Sequence, residues 1–399
     1  MLELDSVEPF DPAREEEFFA AVPSRPGVLV VEMRAAGSRP QLLRTSDLRR
    51  ASERLLRQPE PGSKRLNLRQ VAAAIRYRLT GSKFEQTLTL YHQAKKHAPD
   101  RYRDLLRLRP PAVIKVNLKN DYPRCYVTRR IRADEGFYFG PFVSRRAAEV
   151  FLNGFLDLFK TRRCQIRIRR DPSFPGCIYS EMKMCLAPCF AGATEQEYDA
   201  EVFGLVEALA TCGKALTNRI EREREVASEA LDYERARTLH KRLEKVGGLL
   251  RGLPDLARPI EDLDAVILER GFEEKTVAVF PLRGGRLAEP LFLRFNELSS
   301  QPHSVEQILR QALEPLRPAT ASQASDAVRV PDANWRSRYG LTNAPEELVE
   351  HLSLVSRWFY SNPREGEILF RQDDWPYRRI LRACRRVLAP PNPSPPAES

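Results

Sequence analysis

No stretch of this 399-residue sequence approaches the roughly 18 consecutive apolar residues that a membrane-spanning helix needs, so a helical membrane anchor is not expected. The opening residues MLELDSVEPFDPAREEEFF are acidic and lack the basic-then-apolar order of a secretory leader, which argues against export. Cysteine is too scarce for a disulfide framework. Seven thiols is an odd number, and a chain this long does not depend on such staples, so reduced thiols in the cytoplasm are expected. Acidic excess is also missing, since 65 Lys and Arg outweigh 54 Asp and Glu and leave a net charge of +11. A hydrophobic content of 42% with 30% charged residues suits a soluble chain of several domains with at least one sizeable core.

The positive surplus favours a polyanionic partner. Most of it is arginine, whose planar fork matches phosphate oxygens. Charge alone fits an arginine-rich coding bias equally well.

Along the chain, residues 1–25 read as a polar lead-in. GVLVVEMRA from Gly27 reads as a strand, and TSDLRRASERLLR as a helix with a Thr/Ser/Asp start. NLRQVAAAIRYRL, headed by Asn67, and KFEQTLTLYHQAKKHA, preceded by Gly81, read as two more helices of a small α/β unit that closes near residue 107. AVIKVNL (112–118) and RCYVTRRI (124–131) are short strands around a turn at 120–123. FVSRRAAEVFLNGFLDLFK puts Phe151, Phe155, Leu158 and Phe159 on one helix face. Thr194 with Glu197 makes a capping box that opens a charged helix running to about Ala230. LDYERARTLHKRLEKVGG then reads as a second helix ended by Gly247 and Gly248, giving an antiparallel hairpin over 194–250. DAVILER, TVAVFPL, a RGGR turn and LFLRF read as strands within 264–295, and helices resume at 304–315 and 345–360. The Pro/Ser-rich tail, 389–399, is expected to be disordered.

The densest chemistry lies in TRRCQIRIRRDPSFPGCIYSEMKMCLAPCFAG, where Cys164, Cys177, Cys185 and Cys189 are spaced C-x12-C-x7-C-x3-C. Four thiolates satisfy a tetrahedral zinc or an iron–sulfur cluster. Only Cys185 and Cys189 form a tight pair, and wide spacing with a Pro beside the last cysteine suits a cubane cluster at least as well as zinc. Buried core thiols are the plain alternative, but Arg162, Arg163, Arg167, Arg169, Arg170 and Lys183 make the surroundings polar. Such positive neighbours are expected to lower the thiol pKa values and favour metal binding.

From Val113 to Cys189 the sequence resembles the middle of the UvrC family, a component of the bacterial excinuclease ABC. IKVNLKNDYPRCYVTRR, then FYFGPFVSRRAAEVFLNGFLDLFKTRRC, then PGCIYSEMKMCLAPCFAG match the family pattern in order. The resemblance implies nucleotide excision repair and a [4Fe–4S] cluster on the four cysteines, with Zn2+ the alternative. ALDYERARTLHKRLEKV (230–246) is similar to the UVR motif, the hairpin by which this family docks on the excinuclease component UvrB. That resemblance assigns docking to Leu231, Tyr233, Glu234, Arg235, Ala236, Leu239 and Leu243, although an ordinary core-facing helix has the same periodicity. DNA contact is expected through Arg124, Arg129, Arg130, Arg145, Arg146, Arg162 and Arg163, with Tyr122, Tyr126 and Tyr138 as stacking surfaces.

The family begins with a GIY-YIG nuclease domain, and here the pattern departs. Leu29 stands at the first tyrosine, Leu42, Leu43 and Arg44 replace Tyr-x-Gly, Ala51 stands at the catalytic arginine, and Tyr91 at the metal-binding glutamate. Phosphodiester hydrolysis needs a carboxylate-held Mg2+ or Mn2+ and a cation for the developing charge. Glu85 is a poor substitute, while Arg44, Arg49, Arg50, Arg54 and Arg57 fit either phosphate contact or a solvated helix face. The family's RNase H-like nuclease and helix-hairpin-helix pair are matched only in lead-in strands, and Asp373–Asp374 reads as a turn.

The expected fold is α+β and multidomain: a degenerate GIY-YIG-like unit (26–107), a middle segment with the cysteine cluster (108–193), the UVR hairpin (194–250) and a C-terminal mixed α/β region (260–388). The expected function is a DNA-binding repair protein with weak or no endonuclease activity. The alternatives are an active endonuclease using Mg2+ or Mn2+, and an iron–sulfur redox or regulatory protein outside repair.

Overall fold

The computed structural model of the chain describes residues 2–60, 62, 64–296, 304–314, 331–332, 334–341 and 345–389. The Pro/Ser-rich stretch after Ala389 lies outside them.

The first unit contains β1 (Ser6–Pro9), α1 (Glu15–Ala21), β2 (Gly27–Met33), β3 (Gln41–Thr45), α2 (Leu48–Leu56), β4 (Ala72–Leu79), α3 (Lys83–His97) and the short α4 (Tyr102–Leu105). Its sheet is antiparallel in the order β1-β4-β2-β3. The helix expected from Asn67 is instead strand β4. Ile75 and Tyr77 point into the core while Arg76 and Arg78 point out, a two-residue period that overrides the helix-forming alanines before it. Asn67 caps a local turn rather than a helix, its Oδ1 accepting the Arg69 N–H at 3.0 Å. The α2 and α3 starts follow from Asp47 and Ser82, which accept the Arg50 and Glu85 amides.

The second unit has β5 (Ala112–Asn117), β6 (Cys125–Thr128), β7 (Gly136–Phe142), α5 (Arg145–Leu156), α6 (Ile178–Glu181), α7 (Glu195–Ala210), α8 (Lys214–Glu229) and α9 (Tyr233–Arg251). β8 (Arg258–Pro259) completes a sheet ordered β6-β5-β7-β8. The Thr194–Glu197 capping box opens α7 as the sequence indicates. The charged helix then breaks at 211–213, where Cys212 and Gly213 adopt left-handed backbone and Leu250 fills the space a Gly213 side chain would take. Gly247 and Gly248 do not end α9. Leu249 and Leu250 pack onto the core beyond them and carry the helix to Arg251.

The third sheet is ordered β11-β10-β9-β13, with β12 also on β10. Its strands are β9 (Ala265–Arg270), β10 (Thr276–Arg283), β11 (Arg286–Leu287), β12 (Leu291–Arg294) and β13 (Glu367–Phe370). Around it lie α10 (Val305–Leu313), α11 (Pro345–Phe359) and α12 (Tyr377–Leu388). Both faces are covered, which explains the unbroken apolar runs AVIL and TVAVF. Val266, Leu268, Val277 and Val279 meet α10 and α12 on one side. Ile267 and Phe280 on the other join Phe84, Leu88 and Tyr91 of α3 and Leu348, Leu352 and Val355 of α11. The first and third sheets therefore share a core. Gly81 sits at this seam, where a Cβ would run into the backbone of Arg270 and Gly271.

Candidate cysteine-loop and nucleic-acid site

The four cysteines lie on a loop that carries little regular structure between α5 and α7. Backbone ties hold it: Asp171 N–H donates to the Cys189 carbonyl at 2.9 Å and Leu186 N–H to the Lys160 carbonyl at 2.9 Å. Lys183, Ala187 and Ala191 all take positive φ, an unusual concentration for residues with side chains. The bend at Ala187 aims its N–H at Cys185 Sγ, 3.3 Å away. Burial pushes the Cys185 thiol up to about 11, and the nearby thiols of Cys164, Cys189 and Cys177 add to the effect through like charge. Burial likewise raises Cys189. The expectation that basic neighbours lower these thiols is thus reversed for this pair, because burial dominates and the nearby charges that act on them are other thiols. Among the described residues no three His, Cys, Asp or Glu side chains are gathered tightly enough to hold one ion.

Arg162 is a staple rather than a surface group. It is 6% exposed, and its guanidinium donates to the Tyr122 carbonyl at 2.8 Å and the Ile166 carbonyl at 2.9 Å. Its amide donates to the Tyr198 hydroxyl, which in turn donates to the Pro123 carbonyl. The side chain ties residues 164–166 to Tyr122, while the backbone amide adds the link to Tyr198 of α7. Tyr138 is also internal: its hydroxyl accepts the Arg132 N–H and donates to Asp134, leaving no ring face for a base. Tyr122 is buried too. Arg163 pairs with Asp157 at 2.8 Å and Arg145 with Glu149 at 2.7 Å. Arg124 stacks over the Tyr126 ring at 4.6 Å. Arg129, Arg130 and Arg146 remain exposed, with no side-chain partner among the described residues.

In the first unit, Leu29, Leu43 and Ala51 pack with the core under α1 and α2, whereas Tyr91 lies in the core shared with the third sheet. These positions do not converge on a solvent-filled cleft. Tyr91 donates to Glu350 Oε2 at 2.7 Å, and Tyr102 and Arg103 donate to Oε1. Burial alone would raise Glu350, but the bonds from Tyr102, Tyr91 and Arg103 outweigh it and hold the carboxyl below the usual glutamate range. Glu85 is fully buried and pushed up to about 6 by desolvation, against the pull of the Gly81 amide and Arg78. The open groove beside α2, about 1250 Å³, is lined by Arg50, Arg54 and Lys64 but also by Asp47, Glu53 and Glu60, so its charge is mixed.

In the α8–α9 hairpin, Leu231 and Tyr233 are 67% and 69% exposed at the turn. Glu234 and Arg235 are exposed beside them. Leu239 is buried, and Ala236 and Leu243 pack against the chain's own second core. Helical spacing alone did not separate these two sets.

The profile of the UvrC/Cho excinuclease middle domain matches residues 112–208. Residues 112–208 thus carry a UvrC-type middle domain. It is 26% identical over 299 residues to the UvrABC system protein C of Moorella thermoacetica, which is 74% of this chain and 48% of that protein. It is 32% identical over 201 residues to the UvrABC system protein C of Nitratidesulfovibrio vulgaris, covering 50% of this chain and 27% of that one. A third, from Ruminiclostridium cellulolyticum, is 30% identical over 44% of this chain and 28% of its own length. The chain thus spans less than half the length of the curated relatives it matches. No solved structure matches it.

Glu350 escapes sequence reasoning because it lies 259 residues from Tyr91 along the chain. No local pattern connects the two.

Proposed function

We propose that this UvrC-family chain is a DNA-binding component of nucleotide excision repair that does not itself cut, or cuts weakly. One observation carries the non-cutting part: Tyr91, at the position of the family's metal-binding glutamate, is 1% exposed and committed to Glu350. A buried phenol cannot hold a divalent ion for attack on a phosphodiester. The frame of the first unit resembles the GIY-YIG domain, with its reacting groups exchanged for packing groups.

DNA contact falls to Arg124, Arg129, Arg130 and Arg146, with Arg145 close to them in sequence. Arg162 and Arg163 brace the loop behind them. Cys164, Cys177, Cys185 and Cys189 are the residues to hold a [4Fe–4S] cluster. What supports this reading is the donor chemistry: four thiols on one loop, with Cys164, Cys177 and Cys189 near enough to Cys185 to raise it and a backbone N–H aimed at the Cys185 sulfur. When bound, such a cluster cross-links the loop and neutralises the thiolate repulsion. Leu231 and Tyr233, exposed at the hairpin turn, are the residues free to dock on UvrB.

The test combines a gel shift on bubble DNA across a salt series with an incision assay in Mg2+ or Mn2+. Binding that weakens steeply with salt, without incision, supports the reading. Absent or salt-insensitive binding overturns it, and metal-dependent incision favours the active endonuclease.

A further inference from the structure

Helix α12, YRRILRACRRVL, differs from every other described helix of two turns or more in carrying no Asp or Glu. Tyr377, Ile380, Ala383 and Cys384 are buried against the third sheet. Arg378, Arg379, Arg382, Arg385 and Arg386 are exposed. At 100° per residue these five lie within an arc of about 120°, opposite the buried face. Arg386 is occupied, its guanidinium gripping both Glu367 oxygens at 2.7 and 2.6 Å. Arg378, Arg379, Arg382 and Arg385 make no ion pair or side-chain hydrogen bond among the described residues. On α5 and α10, by contrast, an arginine is paired within its own helix, Arg145 with Glu149 and Arg310 with Glu306. The end of the helix is held by Arg270, which donates to the Leu388 and Ala389 carbonyls and adds another cation there. Asp373 and Asp374 precede the first turn, so the positive field is strongest around Arg382 and Arg385.

We propose that this arginine face is a second DNA-backbone contact surface, separate from the cysteine-bearing segment. From Arg378 to Arg385 the helix advances about 10 Å. Phosphates on one strand of a duplex rise about 3.4 Å each, so four unpaired guanidinium forks at this spacing span about three successive phosphates. A lipid surface is a poorer fit. The apolar side of α12 is already spent on the core, and an interfacial helix must bury that side in the bilayer. The proposal rests on the DNA-binding reading above but not on the cluster or the docking hairpin, since α12 packs in a different core from the cysteine segment.

The full chain is titrated by fluorescence anisotropy with a labelled undamaged duplex and a labelled bubble duplex over a salt series. It is compared with a variant carrying Arg378→Gln, Arg379→Gln, Arg382→Gln and Arg385→Gln, and with the corresponding quadruple Lys variant. The Gln variant should flatten the slope of log K against log salt by about 3, from about 0.9 per lost phosphate contact. Its melting temperature should stay with the wild type because the side chains are exposed, and the Lys variant should keep the slope. An unchanged slope in the Gln variant, with wild-type DNA binding intact, overturns the α12 proposal and leaves the repair reading standing. Absence of DNA binding by the wild type overturns both. Loss of binding to phosphatidylserine-containing vesicles, with DNA binding untouched, overturns it in favour of a membrane contact.

Discussion

Replacing Tyr91 by glutamate puts back the carboxylate that the family's nuclease centre carries, and the structure predicts that this breaks the fold rather than restoring cutting. The Tyr91 hydroxyl sits 2.7 Å from Glu350 Oε2, in a site where Tyr91 is 1% and Glu350 4% exposed. A carboxylate at 91 removes a hydrogen bond to a charged acceptor, about 1.5–3 kcal/mol. It also buries a second negative charge beside the first, with only Arg103 at 2.8 Å and Lys95 at 3.9 Å to share. An uncompensated buried charge costs about 3–5 kcal/mol. The two terms overlap, so a loss of roughly 5 kcal/mol is expected, within the range of a whole domain's stability. Tyr91→Phe isolates the hydroxyl and should lose only about 2 kcal/mol. The assay is denaturant unfolding of both variants, followed by incision of a bubble duplex in Mg2+. The defect of Tyr91→Glu should ease as pH falls from 7 towards 5, because one carboxyl of the crowded pair takes up a proton in the folded state first. A Tyr91→Glu protein that unfolds like the wild type and cuts DNA would refute the claim that this position is closed.

Burial pushes Glu269 up to about 8, with hydrogen bonds from Ser82 and Trp358 opposing. Between the ordinary glutamate value and 8 the unfolded chain has released a proton that the folded chain keeps, so stability falls as pH rises through that window. Glu269→Gln should flatten this slope by about one proton and raise stability at pH 8, measured by unfolding at several pH values. Cys185→Ser should abolish visible absorption and protein-bound iron after anaerobic purification; a colourless wild type with one zinc would remove the iron–sulfur assignment. Arg129→Ala with Arg130→Ala should leave the melting temperature alone and flatten the salt dependence of DNA binding by about 2, whereas Arg162→Ala should lower stability by roughly 3 kcal/mol through its lost buried bonds. Leu239→Ala should cost about 2–5 kcal/mol in unfolding, while Leu231→Ala with Tyr233→Ala should leave unfolding unchanged and weaken capture by UvrB in a pull-down.

Much of the fold was legible from local chemistry. The caps at Asp47 and Thr194 mark helix starts because an oxygen at that position answers an orphan amide whatever lies far away. The RGGR turn was legible for a similar reason, since Gly284 and Gly285 take the positive φ that a tight hairpin asks for. What failed was settled by tertiary contacts. The alanines at 72–74 favour helix in isolation, but pairing of β4 between β1 and β2 decides for strand. Gly247 and Gly248 favour a helix end, yet Leu249 packing against Gly154 and Leu250 against Gly213 continue the turn.

At the site the division follows reach. Residue type announces the four thiols and the arginine surplus, but says nothing about which arginines point outward. Arg162 and Arg129 stand in the same basic context in sequence, and one is a buried brace while the other is free. The difference is that Arg162 has three backbone carbonyls, those of Tyr122, Cys164 and Ile166, within hydrogen-bonding reach, whereas Arg129 follows the end of β6 at the surface. The same logic connects the first unit to the rest of the chain. A nuclease centre must keep a water-filled cleft for a metal ion and a phosphate. Here Tyr91, Tyr102 and Arg103 are drawn onto Glu350 of α11, and Leu348, Leu352 and Val355 of that helix join the core on the same side. Reopening a cleft there means breaking a hydrogen-bonded carboxylate and an apolar seam together, so a single reverting substitution removes stability without supplying space. Binding surfaces face no such conflict. The arginines of α12 and of residues 129–130 stay exposed while their neighbours build the core, so a phosphate-binding role for them, as proposed, costs the fold nothing.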